Sequence, residues 1–268
     1  MTTLDTATAP TVETTNRVAA SARRTWSFAR AELLLLRRNR TLMSIALLMP
    51  VSVIGFYSYL DGAAGEGGNT TPLAIASTVG MLLLFVVYYN VLSVSVARRE
   101  EGVLQRLRTG EAADGEILAA LAAPSVAITL VQTAILAVAG VLVLGLPVPQ
   151  NPLLCLAGIL AGAAVFTGLA LVTAVFSRTL ESVQMTSLPV IALAVLGAGL
   201  AMPLDVLPEG VSLLARFTPL SPVLDLVNAG WTGTSYGADV LQAAGVALAW
   251  VVVAFVVVHQ RFRWSPRV

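Results

Sequence analysis

Arg98-Arg99-Glu100-Glu101-Gly102-Val103-Leu104-Gln105-Arg106-Leu107-Arg108-Thr109 is a charged island between two long apolar runs, and its reading decides the fold. As a helix it places Val103, Leu104 and Leu107 on one side, with Arg99, Arg106 and the two glutamates around the others. Gly110 is its expected stop, and Asp114 is the expected N-cap of the next apolar helix, with Glu116 in that helix's positive first turn. Such an island is a handle on one side of a membrane. Physically it can be a solvated connector whose arginines set topology, or a docking surface.

Outward from the island, the chain is apolar. Of 268 residues, 57% are hydrophobic and only 12% charged, and the mean hydropathy is +0.83, which is the composition of an integral membrane protein. The sixteen basic residues are all arginine. Without lysine the chain has no P-loop, pyridoxal or kinase lysine, so it carries no nucleotide engine of those kinds and is not expected to be an enzyme. One cysteine, Cys155, and one histidine, His259, are too few for a Cys/His metal cluster or an internal disulfide. Cys155 is expected to be a packing residue.

In chain order, residues 1–21 are polar and Thr/Ala-rich, the composition of a disordered cytoplasmic tail. Residues 22–40 alternate arginines with Trp26, Phe28 and a leucine run, the pattern of an amphipathic helix lying in the membrane interface. The first apolar segment begins near Thr41, too far in for an ordinary cleaved signal peptide. Six spans are expected, at 41–60, 72–97, 118–146, 152–176, 183–203 and 239–258. Thr71-Pro72 and Asn151-Pro152 read as caps followed by a first-turn proline, Asp239 opens the last span, and Pro50 and Pro189 fall inside spans. Gly158 and Gly162 form a GxxxG on the fourth span that predicts close helix packing, within one subunit or between two.

Fifteen of the sixteen arginines lie in the N-terminal segment, the island, the 177–182 loop and the C-terminal tail at 261–268; the opposite face has only Arg216. The positive-inside rule therefore places both termini in the cytoplasm. The last external connection, 204–237, is too apolar to float in water. It predicts one or two short helices dipping back into the outer leaflet, punctuated by Pro208, Pro219 and Pro222. Apart from the re-entrant region, with Arg216 and Asp225, and Asp239 at the opening of the last span, the proposed spans contain no acid or base, which argues against a proton- or sodium-coupled carrier and an intramembrane hydrolase. Glu100-Glu101 followed by Arg106 is similar to the paired glutamates of intramembrane prenyl-protein endopeptidases, but the arginine is one residue too far and the required histidines are missing.

The island, directly after the second apolar span, resembles the cytoplasmic loop of ABC-2 type transporter permeases. Pro189, Gly197-Ala198-Gly199, Pro203, Leu207-Pro208, Ala215-Arg216-Phe217 and Thr218-Pro219-Leu220-Ser221-Pro222 resemble that family's fifth span and re-entrant segment. The likeness covers roughly residues 22–260. Two positions depart from the pattern: Thr109 is followed by Gly110 and Glu111 instead of a Thr-Pro turn, and Gly197 and Gly199 stand without the family's Ser-Gly pair.

The resemblance implies an all-α integral membrane protein: an elbow helix at 22–40, a six-helix domain at 41–260, a coupling loop at 98–117 and a re-entrant region at 204–237. It further implies a permease subunit, paired with a second copy and with two ATP-binding subunits that hold the ATP, with no cofactor of its own and no nucleic-acid partner. The expected coupling contacts are Glu100, Glu101, Gly102, Leu104 and Leu107, the leucines for a groove and the glutamates for basic partners or for fixing the helix. The re-entrant gate is expected at Pro208, Phe217, Pro219 and Pro222. Tyr89, Asn90, Gln132 and Thr133 are candidates to line a substrate cleft, or are ordinary interhelical hydrogen-bonding groups worth ~0.6 kcal/mol each. The resemblance implies export of a drug, natural product, lipid or glycan; the arginine-only, Ala/Val/Leu/Gly-heavy composition suits a GC-rich bacterial genome, which favours a bacterial cytoplasmic membrane and, among those substrates, a drug or natural product. The alternative is a non-transporting immunity or assembly factor that binds a partner through 98–117.

Overall fold

The computed structural model describes residues 40–64, 72–108, 114–200, 208–234 and 237–261. The expected tail at 1–21, all of the 22–40 elbow but Arg40, the Thr71 cap, the Gly110 stop and the tail beyond Arg261 lie outside them.

Every element among the described residues is helical. They are α1 (Arg40–Ala64), α2 (Pro72–Leu82), a π-helical segment (Leu83–Tyr89) continuing into α3 (Asn90–Glu100), α4 (Val103–Arg108), α5 (Asp114–Val143), α6 (Pro152–Phe176), α7 (Ser182–Gly197), α8 (Glu209–Ala215), α9 (Ser221–Thr232) and α10 (Ala238–Arg261). Among the described residues four stretches are long and apolar enough to cross a membrane: Pro72–Glu100, Asp114–Val143, Pro152–Phe176 and Ala238–Arg261. The expected first and fifth spans correspond to shorter apolar stretches, Leu48–Leu60 and Ser182–Gly197.

Local chemistry accounts for several helix starts. Pro72 and Pro152 open their helices, and the Asn151 side chain accepts from the Leu154 N–H at 3.1 Å, satisfying one of the donors a helix start leaves open. Asp114 and Asp239 each stand in the first turn of their helices, next to the positive end of the helix dipole. Pro50, Pro124 and Pro189 lie inside helices. The apolar connection before the last helix folds into two short helices, α8 and α9, and Pro222 sits in the first turn of α9.

Helix α6 is the centre of the fold. Glycines make that possible by letting backbones approach where any side chain would clash. A Cβ on Gly162 would stand 2.6 Å from Leu83 Cδ1 and 2.7 Å from Val223 Cγ1, and one on Gly158 would stand 3.0 Å from Leu226 Cβ. The GxxxG contact is therefore made within one chain, by α9 and the π-helical segment. Gly230 of α9 reciprocates, since a Cβ there would come within 2.6 Å of the Cys155 backbone nitrogen. Cys155 packs in that seam, its thiol 3.5 Å from the Val227 carbonyl. The far end of α9 is tied to the α5–α6 turn by Trp231 Nε1 donating to the Pro147 carbonyl at 2.9 Å and Asn151 N–H donating to the Gly230 carbonyl at 2.8 Å. On another side α10 closes on α6, where a Cβ on Gly168 would meet Ala254 Cβ at 2.6 Å.

Candidate functional site

The charged island is two helices, not one. Glu101 ends α3, its N–H bonding back to the Ala97 carbonyl, and Gly102 follows at φ 70°, the left-handed conformation that glycine adopts without a Cβ penalty. Helix α4 starts afresh beyond it at Val103. A sequence reading with one continuous helix missed this because Glu100-Glu101-Gly102-Val103 is also a tolerable helical run; Gly102 was the available signal.

The break divides the side chains. Leu104 is fully buried, in a cluster with Ile117 and Leu121 of α5, and Leu107 packs against the same cluster. These leucines, expected in a partner's groove, are engaged in seating α4 on the base of α5. Glu100, Glu101, Gln105 and Arg106 are exposed and Gly102 is half-buried. The corner thus offers a polar, mixed-charge surface held by an apolar foot.

Behind it lies a residue that the sequence reading counted among the arginines setting topology. Arg99 is 1% exposed. Its guanidinium donates to the Ala174 carbonyl at 2.7 Å and to the Ser177 carbonyl. Both acceptors lie at the C-terminal end of α6, where carbonyls lack partners within the helix and a cation is favoured by the helix dipole. The Ser177 hydroxyl lies 2.6 Å from Thr186 Oγ1 on α7. One turn back in α6, Thr173 Oγ1 lies 3.2 Å from the Tyr88 hydroxyl, and Tyr88 meets Phe166 edge to face with ring centroids 6.3 Å apart. A string of polar contacts therefore joins the π-helical segment, α3, α6 and α7.

The four candidate path residues differ in their surroundings. Asn90 is exposed and donates through Nδ2 to Ser125 Oγ of α5 at 2.9 Å. Gln132 and Thr133 are buried, 3% and 8% exposed. They stand two turns beyond Ser125, about 10 Å along the helix. Tyr89 is half-buried against the main core. A cavity of about 890 Å³ opens instead between α5, α6 and α10, floored by small residues such as Ala122, Ala163 and Gly168, with Asp114 and His259 at one end. None of the four lines it.

In the expected gate, Pro208 precedes α8 and is exposed, whereas Pro219 and Pro222 are buried. Phe217 is exposed, and its carbonyl accepts from Trp250 Nε1 of α10 at 2.9 Å. Thr218 presses on Gly197 so closely that a Cβ there would stand 2.2 Å from Thr218 Cγ2. Gly197 is thus the point where α7 touches the α8–α9 turn. Arg216 and Asp225 are both exposed.

Comparison with known families places the chain: the family described as ABC-2 type transporter matches residues 23–230. No curated protein matches the sequence.

Proposed function

Because the chain belongs to the ABC-2 type transporter family, a family of transport permeases of the membrane, we propose that it is the membrane-spanning subunit of an ATP-driven exporter, powered by a separate ATP-binding subunit. The observation that carries this reading is the α3–α4 corner. It presents Glu100, Glu101, Gln105 and Arg106 outward on a buried apolar foot, a surface suited to a partner with its own mixed charges.

In this reading α1 and α7 complete six crossings, both termini are cytoplasmic, and α8 and α9 enter the outer leaflet from the far side. Two copies face one another and two ATP-binding subunits, which hold the ATP, each receive a corner. ATP binding draws those subunits together, the corners move with them, and the path between the copies turns from inward- to outward-facing. Glu100 and Glu101 make the partner contact, Gly102 provides the bend, and Leu104 and Leu107 hold α4 so that force on the corner reaches α5. Asn90, the exposed member of its set, is the leading contact for an apolar or amphipathic cargo such as a drug, natural product, lipid or glycan. Pro208, Phe217, Pro219 and Pro222 shape the outer gate.

The test is affinity purification from native bacterial cytoplasmic membranes in mild detergent, wild type beside Glu101→Arg. The expected result is a P-loop ATPase that accompanies the wild type and is lost from the equally folded variant. Recovery of no ATPase with the wild type, even after gentle crosslinking, would remove the engine from this reading and leave a partner-binding membrane factor.

A further inference from the structure

We propose that Arg99 is the residue through which movement of the α3–α4 corner reaches α7: a positioning residue for energy coupling, buried one residue away from the surface the partner touches. The proposal rests on the reading of that corner as the ATPase contact.

Cations are rarely taken out of water unless their partners are well arranged, because desolvation costs several kcal/mol. Within one turn of helix, Glu100 and Glu101 remain exposed while Arg99 is withdrawn completely. Its planar fork reaches two carbonyls at once, those of Ala174 and Ser177, a geometry in which guanidinium excels and an ammonium does not. Pulling α3 away from the end of α6 would strip a buried cation of these acceptors, so the two helix ends move together. The corner is also built directly on this residue, since the Gly102 N–H donates to the Arg99 carbonyl at 3.1 Å.

The second node is Ser177. Its carbonyl takes Arg99, and its hydroxyl lies 2.6 Å from Thr186 Oγ1, one turn into α7. Helix α7 is the element with freedom to respond: Met185, Leu188, Leu193 and Leu196 are all exposed, and only Val183, Ser187, Ala194 and Gly197 are buried along it. Corner, Arg99, Ser177, Thr186 and α7 thus form one contiguous mechanical path.

The experiment uses the complex with its co-purifying ATPase, in a Cys155→Ser background, carrying one environment-sensitive label at either Gln105→Cys on α4 or Met185→Cys on α7. Mg-ATP with vanadate traps the nucleotide-bound state. With Arg99 present, both labels are expected to respond. In Arg99→Gln the α4 label keeps its response and the α7 label loses it, while Arg99→Lys restores part of it; a residue that merely stabilised the fold would move both labels together. A full α7 response in Arg99→Gln overturns the proposal and leaves the exporter reading standing. Silence of the α4 label with Arg99 intact overturns both. Should Arg99→Gln not assemble, Ser177→Ala and Thr186→Val break the next link: a lost α7 response supports the path, and an unchanged one overturns it.

Discussion

Helices α6 and α7 adjoin in the chain and are both apolar, yet the fold uses them in opposite ways. Helix α6 is gripped from several sides, burying Phe166, Leu169, Ala170, Thr173 and Ala174 along with Gly158 and Gly162. Helix α7 spends most of its apolar side chains on its outside, Met185 being 72% exposed. In water that exposure would be a liability. In a bilayer it costs nothing, because lipid is as apolar as leucine and packing, not hydrophobicity, decides which helix faces associate. The difference teaches that in such a chain small residues and polar contacts locate the core better than hydropathy does.

The packing around α6 is most sensitive at Phe166. Phe166→Ala removes a fully buried ring packed on Tyr88 and is expected to cost about 3–5 kcal/mol, seen as a large drop in the thermal unfolding midpoint in detergent. Next, Gly162→Val would drive a side chain into Leu83 and Val223, with an expected cost of roughly 1–3 kcal/mol and earlier proteolysis at α9. A near-neutral result there would mean that α9 does not sit on α6. Smaller still is Tyr88→Phe, which keeps the ring and removes only the hydroxyl facing Thr173; about 0.6 kcal/mol should be lost in the same unfolding measurement. On α7, Leu188→Ala is expected to stay within ~0.5 kcal/mol, as at positions that touch little. A loss comparable to that of Phe166→Ala would show that the exposed face of α7 is already covered in the isolated protein.

Much of the fold could be read from residues whose effect is local. Asn151-Pro152 starts α6 as expected because both the cap and the proline act within one turn. Pro208 and Pro222, expected to punctuate one or two short helices in the apolar connection before the last helix, stand at the starts of α8 and α9. Gly158 and Gly162 announced a close contact but not its partner, since a glycine signals space without saying what fills it. At the corner, Leu104 and Leu107 were rightly seen to share a face, but whether that face met a partner or the chain's own α5 depended on where residue 117 and residue 121 arrived in space. Arg99 was the least legible. Four arginines of the island look alike in one dimension, and only the end of α6, seventy-five residues on, distinguishes the buried one.

By itself the sequence determined that the chain is helical, apolar and of the membrane, where most helices begin, and which family it belongs to, because these follow from composition, caps and motif order. Tertiary structure alone decided that α6 is central and α7 peripheral, that the GxxxG seam closes on α9 of the same chain, and that Arg99 turns inward while Glu100 and Glu101 turn out. The physical reason is that burial inside a bilayer is set by close packing and by satisfying helix-end carbonyls, both of which join residues far apart in the chain.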